Sequence, residues 1–217
     1  MDKRITFTQA AQAVNDGSSL MVSGFLDAGH PQNLIRALRE KNVRDITLIS
    51  LDAGNERCEV YYFIQDGHVG HMIVSHIGRC PAASDRVIDG SMTLEFSPQG
   101  TLCERIRAGG AGLGGFLTPS GIGTEVEKGK QIIEVAGKPY ILETTLRADV
   151  AFIRAQKADR YGNLYFRGNT RNFNVAIATA ADYVVAEVLE YSDEPLPGES
   201  VHIPGLFVDA IAVVEDK

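Results

Sequence analysis

Residues 19–50 read SLMVSGFLDAGHPQNLIRALREKNVRDITLIS. The opening run, SLMVSGF (Ser19 to Phe25), follows the turn signal Asn15-Asp16-Gly17 and is apolar enough for a buried strand. PQNLIRALREK (Pro31 to Lys41) begins with a proline, which suits a first helical turn, and puts Leu34, Ile35 and Leu38 on one helical face. DITLIS (Asp45 to Ser50) is a second short apolar run. Strand, helix and strand at this spacing make a βαβ unit and predict a parallel sheet.

The same alternation extends outward. HMIVS (His71 to Ser75) and TLEFS (Thr93 to Ser97) read as strands on either side of a short helix, ASDRVIDG (Ala83 to Gly90). DVAFIRA (Asp149 to Ala155), YVVAEV (Tyr183 to Val188) and FVDAIAVV (Phe207 to Val214) return to the buried-strand style, with a helix at NFNVAIATAA (Asn172 to Ala181). QIIEVAGKPYILE (Gln131 to Glu143) reads as a hairpin around Ala136-Gly137-Lys138-Pro139. The expectation is one α/β domain over residues 1–217: an open, mainly parallel sheet with helices on both faces and a β-hairpin excursion. A weak boundary falls near Gly129.

Composition narrows the function. The 217 residues carry a net charge of -7, with no Lys/Arg cluster beyond pairs such as Lys3-Arg4, which argues against a nucleic-acid binder. No stretch nears the eighteen or so apolar residues of a membrane span, and the N-terminal stretch lacks the apolar core of a signal peptide. Cys58, Cys80 and Cys103 are few, odd in number and scattered, which suggests reduced thiols and a cytoplasmic location. No CxxC or HxxxH pair offers a metal site, so none is expected; His68 and His71 read as surface or packing residues.

Ala108 to Thr124, AGGAGLGGFLTPSGIGT, holds seven glycines in seventeen residues. GAGLGG (Gly110 to Gly115) satisfies GxGxxG, which is meaningful only between a strand and a helix. Here Thr101 and Glu104 fit a capping box, predicting a helix from Leu102 to Ala108 with Gly109 as its stop. The match then follows a helix, FLTPSG after it reads as loop, and a dinucleotide site is disfavoured. A phosphate loop fails too, because Gly129-Lys130 is followed by Gln131. Leu113, Phe116 and Leu117 suggest a packed segment whose backbone lies close to a ligand or another subunit.

DGSSLMVSGFLDAGHP (Asp16 to Pro31), SPQGTLCERIRAGGAGLGGFLTPSGIGT (Ser97 to Thr124), KADRYGNLYFRGNTRNFN (Lys157 to Asn174) and HIPGLFV (His202 to Val208) occur in this order. Together they resemble the α subunit of class I CoA-transferases, of the acetate/butyrate–acetoacetate and succinyl–3-oxoacid type. The resemblance implies an open α/β fold and a ping-pong transfer of CoA between a short acyl or 3-oxoacyl donor and a carboxylic acid. In that scheme a glutamate carboxylate attacks the acyl-CoA thioester, CoA forms a glutamyl-CoA thioester, and a second acid takes the CoA. CoA is then a substrate, and no tightly bound cofactor is expected. The family's nucleophile lies in a Ser-Glu-Asn-Gly motif on the β half. No such motif occurs in this sequence, so a separate β subunit is the expected partner, in an α₂β₂ or α₄β₄ assembly. Glu104 is explained by the cap and is not the nucleophile.

The resemblance assigns Ser23, Gly24, Phe25, Leu26, Asp27, Ala28 and Gly29 to CoA contact. The residues themselves place this segment between a strand end and a helix start, where backbone amides suit anions and carbonyl oxygens but tight turns are also common. Gln99 is expected to donate to a substrate carboxylate or oxyanion. Ser75 and His76, at another strand end, are expected to be structural or substrate-lining. Gly109, Gly110, Gly112, Gly114 and Gly115 are expected to let the backbone lie against the partner subunit near the active site. Asn172 and Asn174 are read as caps of the helix that follows. Two positions depart from the family pattern: Ser23 replaces the signature's first glycine, and Leu51 replaces an asparagine thought to help the oxyanion site. A non-catalytic or regulatory CoA-binding subunit is the competing reading, with Leu51 its best support.

Overall fold

The computed structural model describes residues 2–215. In chain order it contains α1 (Phe7–Ala11), β1 (Ser19–Val22), α2 (Gln32–Lys41), β2 (Ile46–Ser50), α3 (Glu59–Gln65), β3 (Val69–Val74), α4 (Pro81–Ile88) and β4 (Thr93–Phe96). Then come α5 (Gln99–Gly110), β5 (Gly115–Thr118), β6 (Ile132–Val135), β7 (Lys138–Thr144), β8 (Ala148–Asp159), β9 (Leu164–Tyr165), α6 (Asn174–Thr179), β10 (Ala181–Ser192) and β11 (Ala210–Val213).

The main sheet runs β11-β10-β8-β1-β2-β3-β4, and every neighbouring pair along that path is parallel. Short β9 folds back antiparallel on β8. Period-two alternation divides the strands between two cores. Leu20 and Val22 of β1 face a cluster with Leu34 and Leu38 of α2, Phe63 of α3 and Ala83 of α4. Met21 faces the other side, with Leu102 and Ile106 of α5 and Ile177 of α6. The helices therefore cover both faces, as the alternating runs predict.

The hairpin forms where expected. β6 and β7 pair across Ala136 and Gly137, both at positive φ, a two-residue turn that matches the twist of the strands. Three readings need correction. FLTPSG is not all loop: Gly115–Thr118 is β5, which pairs antiparallel with β7 in a separate three-stranded sheet. The Thr101 capping box does not form either. Helix α5 begins at Gln99 behind Pro98, whose extended ψ of 140° turns the chain into the helix, and Thr101 is buried inside the first turns. Gly109 and Gly110 are the last residues of this helix and not a stop beyond it.

Candidate active site

β1 lies between β2 and β8, and the chain order leads away from it in both directions. That makes β1/β8 the topological switch point of the sheet, where open α/β folds hold ligands outside the strands' carboxyl ends. Four segments leave the sheet along this edge: Ser23–Gly29 after β1, 51–55 after β2, 75–78 after β3 and 97–99 after β4. At about 4.8 Å per strand, Gln99 lies on the order of 14 Å from the Ser23 segment.

The Ser23–Gly29 segment is tied down at every turn. Ser23 Oγ donates to the Gly29 carbonyl at 2.9 Å and accepts the Arg154 N–H of β8 at 3.2 Å. The hydroxyl that replaces the signature's first glycine is thus buried and turned inward. Phe25 and Ala28 exchange backbone hydrogen bonds around a tight turn, with Leu26 at φ 53°. Leu26 N–H donates to Asp52 Oδ2 at 2.7 Å, while Asp52 Oδ1 accepts the Gly54 N–H at 2.8 Å. The His30 ring packs over Gly24 and donates from Nε2 to the Leu26 carbonyl at 2.8 Å. From the far side Asn172 closes on Gly29. The Asn55 amide donates to Asp27; with Arg79 and Arg57 at 3.8 and 3.7 Å, it holds the Asp27 carboxyl below the usual carboxylate range.

Beside this turn is a small recess lined by Leu26, Asp52, Asn55, His76 and Arg79; a cleft of about 420 Å³, lined by Arg57, Gly78 and Pro81, shares Asn55 and Arg79 with it. His76 lies on the wall of the recess, and its neighbour Ser75 donates to the Leu51 carbonyl. Gln99 is exposed in the first turn of α5. So Ser75, His76, Gln99 and the Ser23–Gly29 turn share one edge of the sheet.

The sequence profile of the Coenzyme A transferase family matches residues 4–214. The chain belongs to the coenzyme A transferase family. It is 44% identical over 216 residues to the acetate CoA-transferase subunit alpha of Escherichia coli K12, an alignment covering 99% of this chain and 98% of that one. It is 40% identical over 210 residues to the acetoacetyl-CoA:acetate/butyrate CoA transferase alpha subunit of Clostridium acetobutylicum, covering 96% of each. Its structure superposes with a TM-score of 0.86 on an acyl-CoA transferase from E. coli O157:H7 solved as a thioester complex with CoA, at 26% identity. That match covers 99% of this chain and 47% of the other, so the chain spans about half the length of the solved enzyme.

In this coenzyme A transferase chain the carboxylate and thiols buried along the edge are engaged or held neutral. Asp52 is buried with both oxygens engaged. Glu104 pairs with Arg107 on the flank of α5. Burial pushes the thiols of Cys58, Cys80 and Cys103 up, away from reactive thiolate. Leu51 packs in the second core and offers no side-chain donor. No cluster of metal-ligating groups occurs among the described residues; His68 stacks on Phe63 and bonds the Val43 carbonyl, and His71 bonds Thr93.

Three glycines of the cluster are required by close contacts within this chain. A Cβ on Gly109 would strike the Leu146 carbonyl, one on Gly110 the Thr179 hydroxyl, and one on Gly115 the Glu143 carbonyl at 2.7 Å. Gly109 and Gly110 let α5 seat against the segment before β8 and against α6, Gly115 lets β5 lie on β7, and Gly112 and Gly114 face open space. A strand before Gly110, which a dinucleotide site requires, is replaced by α5. Asn172 and Asn174 do not cap α6. Phe173 is its N-cap, and the buried Asn174 amide donates back to the Thr170 and Arg171 carbonyls at 2.9 and 3.2 Å. The residues that sequence reasoning missed are Asp52, His30 and Glu187. For Glu187 the signal was a carboxylate inside the apolar run YVVAEV.

Proposed function

We propose that this chain is the α subunit of a heteromeric CoA-transferase that moves CoA between a short-chain acyl- or 3-oxoacyl-CoA and a carboxylic acid. What carries the reading is the near full-length match to α subunits of such enzymes, together with a firmly held turn at the switch point of the sheet. The turn Ser23–Gly29 contacts CoA, and Gln99 orients the acid or supports an oxyanion from the end of β4. The nucleophilic glutamate comes from a β subunit. Its carboxylate attacks the thioester carbonyl and expels CoA thiolate; the thiolate attacks the resulting anhydride at the glutamyl carbonyl and releases the first acid as its carboxylate. The incoming acid reverses both steps. A weak oxygen nucleophile gains from such covalent division, provided water is kept out.

The test is reconstitution. Purified with its partner, the chain should transfer CoA from acetoacetyl-CoA to acetate, and neither chain alone should do so. A stable two-chain complex inactive with every short acid tested would favour the regulatory reading that Leu51 raises. Within an active complex, Gln99→Ala should lower kcat/KM by about tenfold or more, the scale of one lost donor. Its exposure makes it harmless to the fold, so an unchanged rate would remove Gln99 from the site.

A further inference from the structure

We propose that His30 is the positioning residue that locks the Ser23–Gly29 turn, and that proton uptake by its ring releases the turn and weakens acyl-CoA binding in acid. The proposal rests on the reading of this turn as the CoA contact. His30 is 3% exposed, and its ring sits against Gly24. A carbonyl only accepts, so the 2.8 Å contact from Nε2 to the Leu26 oxygen requires the proton on Nε2. Leu26 is held in the left-handed region, which a leucine disfavours. Two buried groups keep it there: Asp52 on its N–H and His30 on its carbonyl. Within the turn, the paired Phe25–Ala28 backbone hydrogen bonds add to them.

The other ring nitrogen provides the release. Nδ1 is buried and has no hydrogen-bond partner among the described residues. In the neutral ring it carries a lone pair. Protonation would place an N–H there with no acceptor, which is costly in a buried site. Charged groups face the ring from three sides. Asp52, after β2, and Asp27, in the turn, favour its protonation, while Arg154 on β8 opposes it. The Cys58 thiol, beside the same Leu26 carbonyl at 3.5 Å, stays neutral. Burial is the largest influence and brings the ring below its ordinary 6.5. An opened turn would expose the ring and restore that value. The opened form therefore binds more protons, and opening becomes easier as pH falls through about 6.5.

Two variants separate the ring's roles. His30→Phe keeps a flat ring over Gly24 and loses the donor; His30→Gln keeps an amide donor near the Nε2 position and cannot titrate. Amide hydrogen exchange of the peptide spanning 22–31, in the full chain with its partner subunit, reads the lock without needing activity. Steady-state kinetics with acetoacetyl-CoA read its consequence. In His30→Phe, exchange in this peptide should rise by about tenfold or more at neutral pH, and the KM for acyl-CoA should rise with it while kcat changes less. In the wild type the protection of this peptide, after correction for the intrinsic pH dependence of amide exchange, should fall and the KM should rise as pH falls from 7 to 5, and His30→Gln should flatten both dependences. Wild-type exchange and KM in His30→Phe would overturn the lock, and a wild-type acid response in His30→Gln would overturn the release. If exchange follows the proposal but no CoA thioester is turned over, the lock stands and the functional reading fails.

Discussion

Gly24→Ala should cut kcat/KM for CoA transfer by about a hundredfold or more, the scale of a misplacement near 1 Å at a reacting centre. Gly24 has φ +127°, a conformation that side-chain-bearing residues rarely adopt, and a Cβ there would lie 2.5 Å from Cγ of the buried His30 ring. The ring cannot swing aside, because its Nε2 is bonded to Leu26 and the core closes around it. The turn must move instead, carrying Phe25 to Ala28 away from their present positions. Most of the sheet is untouched, so the thermal midpoint should fall by only a few degrees while activity collapses. Kinetics of the two-chain complex together with a melting curve make the comparison. Wild-type kcat/KM in a folded Gly24→Ala complex would show that transfer does not use this turn geometry.

The largest stability effect is expected at Glu187 on β10. Its carboxylate is 1% exposed and reaches across the sheet to the start of α2, where it accepts the N–H groups of Asn33 and Leu34 at 2.8 and 3.1 Å. A distant strand thus caps a helix whose own N-cap, Pro31, has no side chain to do so. Arg154 lies 3.7 Å from the same carboxylate. Glu187→Leu removes the acceptor and leaves these donors and a guanidinium facing an apolar group; the loss should be roughly 3–5 kcal/mol, the range for breaking a buried pair. Glu187→Gln keeps an acceptor and should cost about 1 kcal/mol or less. Burial raises the carboxyl above its ordinary 4.5, and the amide donors and Arg154 offset part of that rise. The folded chain then holds this proton more tightly than the unfolded one. The wild type accordingly loses the stabilising contribution as pH rises through the folded value, and the glutamine variant does not. Denaturant titrations at several pH values would show the gap between them narrowing as pH rises. Equal losses for leucine and glutamine would mean that helix capping is not what Glu187 does.

The central strands of the main sheet were legible because their apolar runs are nearly continuous, as strands buried on both faces must be. Helix α1 escaped although its local Thr6–Gln9 capping box marks its start; the other elements that escaped depend on distant partners. β5, with glycine before it and proline after, becomes a strand only through β7, some 25 residues later. Helix α3, EVYYFIQ, is rich in β-branched and aromatic residues and is held by packing more than by propensity. The glycine cluster announced close approach, but not what approached; Leu146 and Thr179 are far off in sequence. At the candidate site the segments were legible as strand ends. The buried groups that fasten them were not, since neither His30 nor Asp52 has a sequence neighbour that betrays its contact.

The place of β1 in the sheet also bears on how the chain is made. Leu20 and Val22 pair on one side with β2, and on the other with Val150 and Phe152 of β8. The Asp149 carboxylate that closes on the Ser19 backbone lies 130 residues further along. At typical translation speeds, β8 follows β1 from the ribosome after roughly 6–26 s. During that interval the chain carries β1 to β4 and α1 to α5, and β1 lacks the strand that will cover its other flank. That flank is open to mispairing, at the same strand whose end carries the Ser23–Gly29 turn.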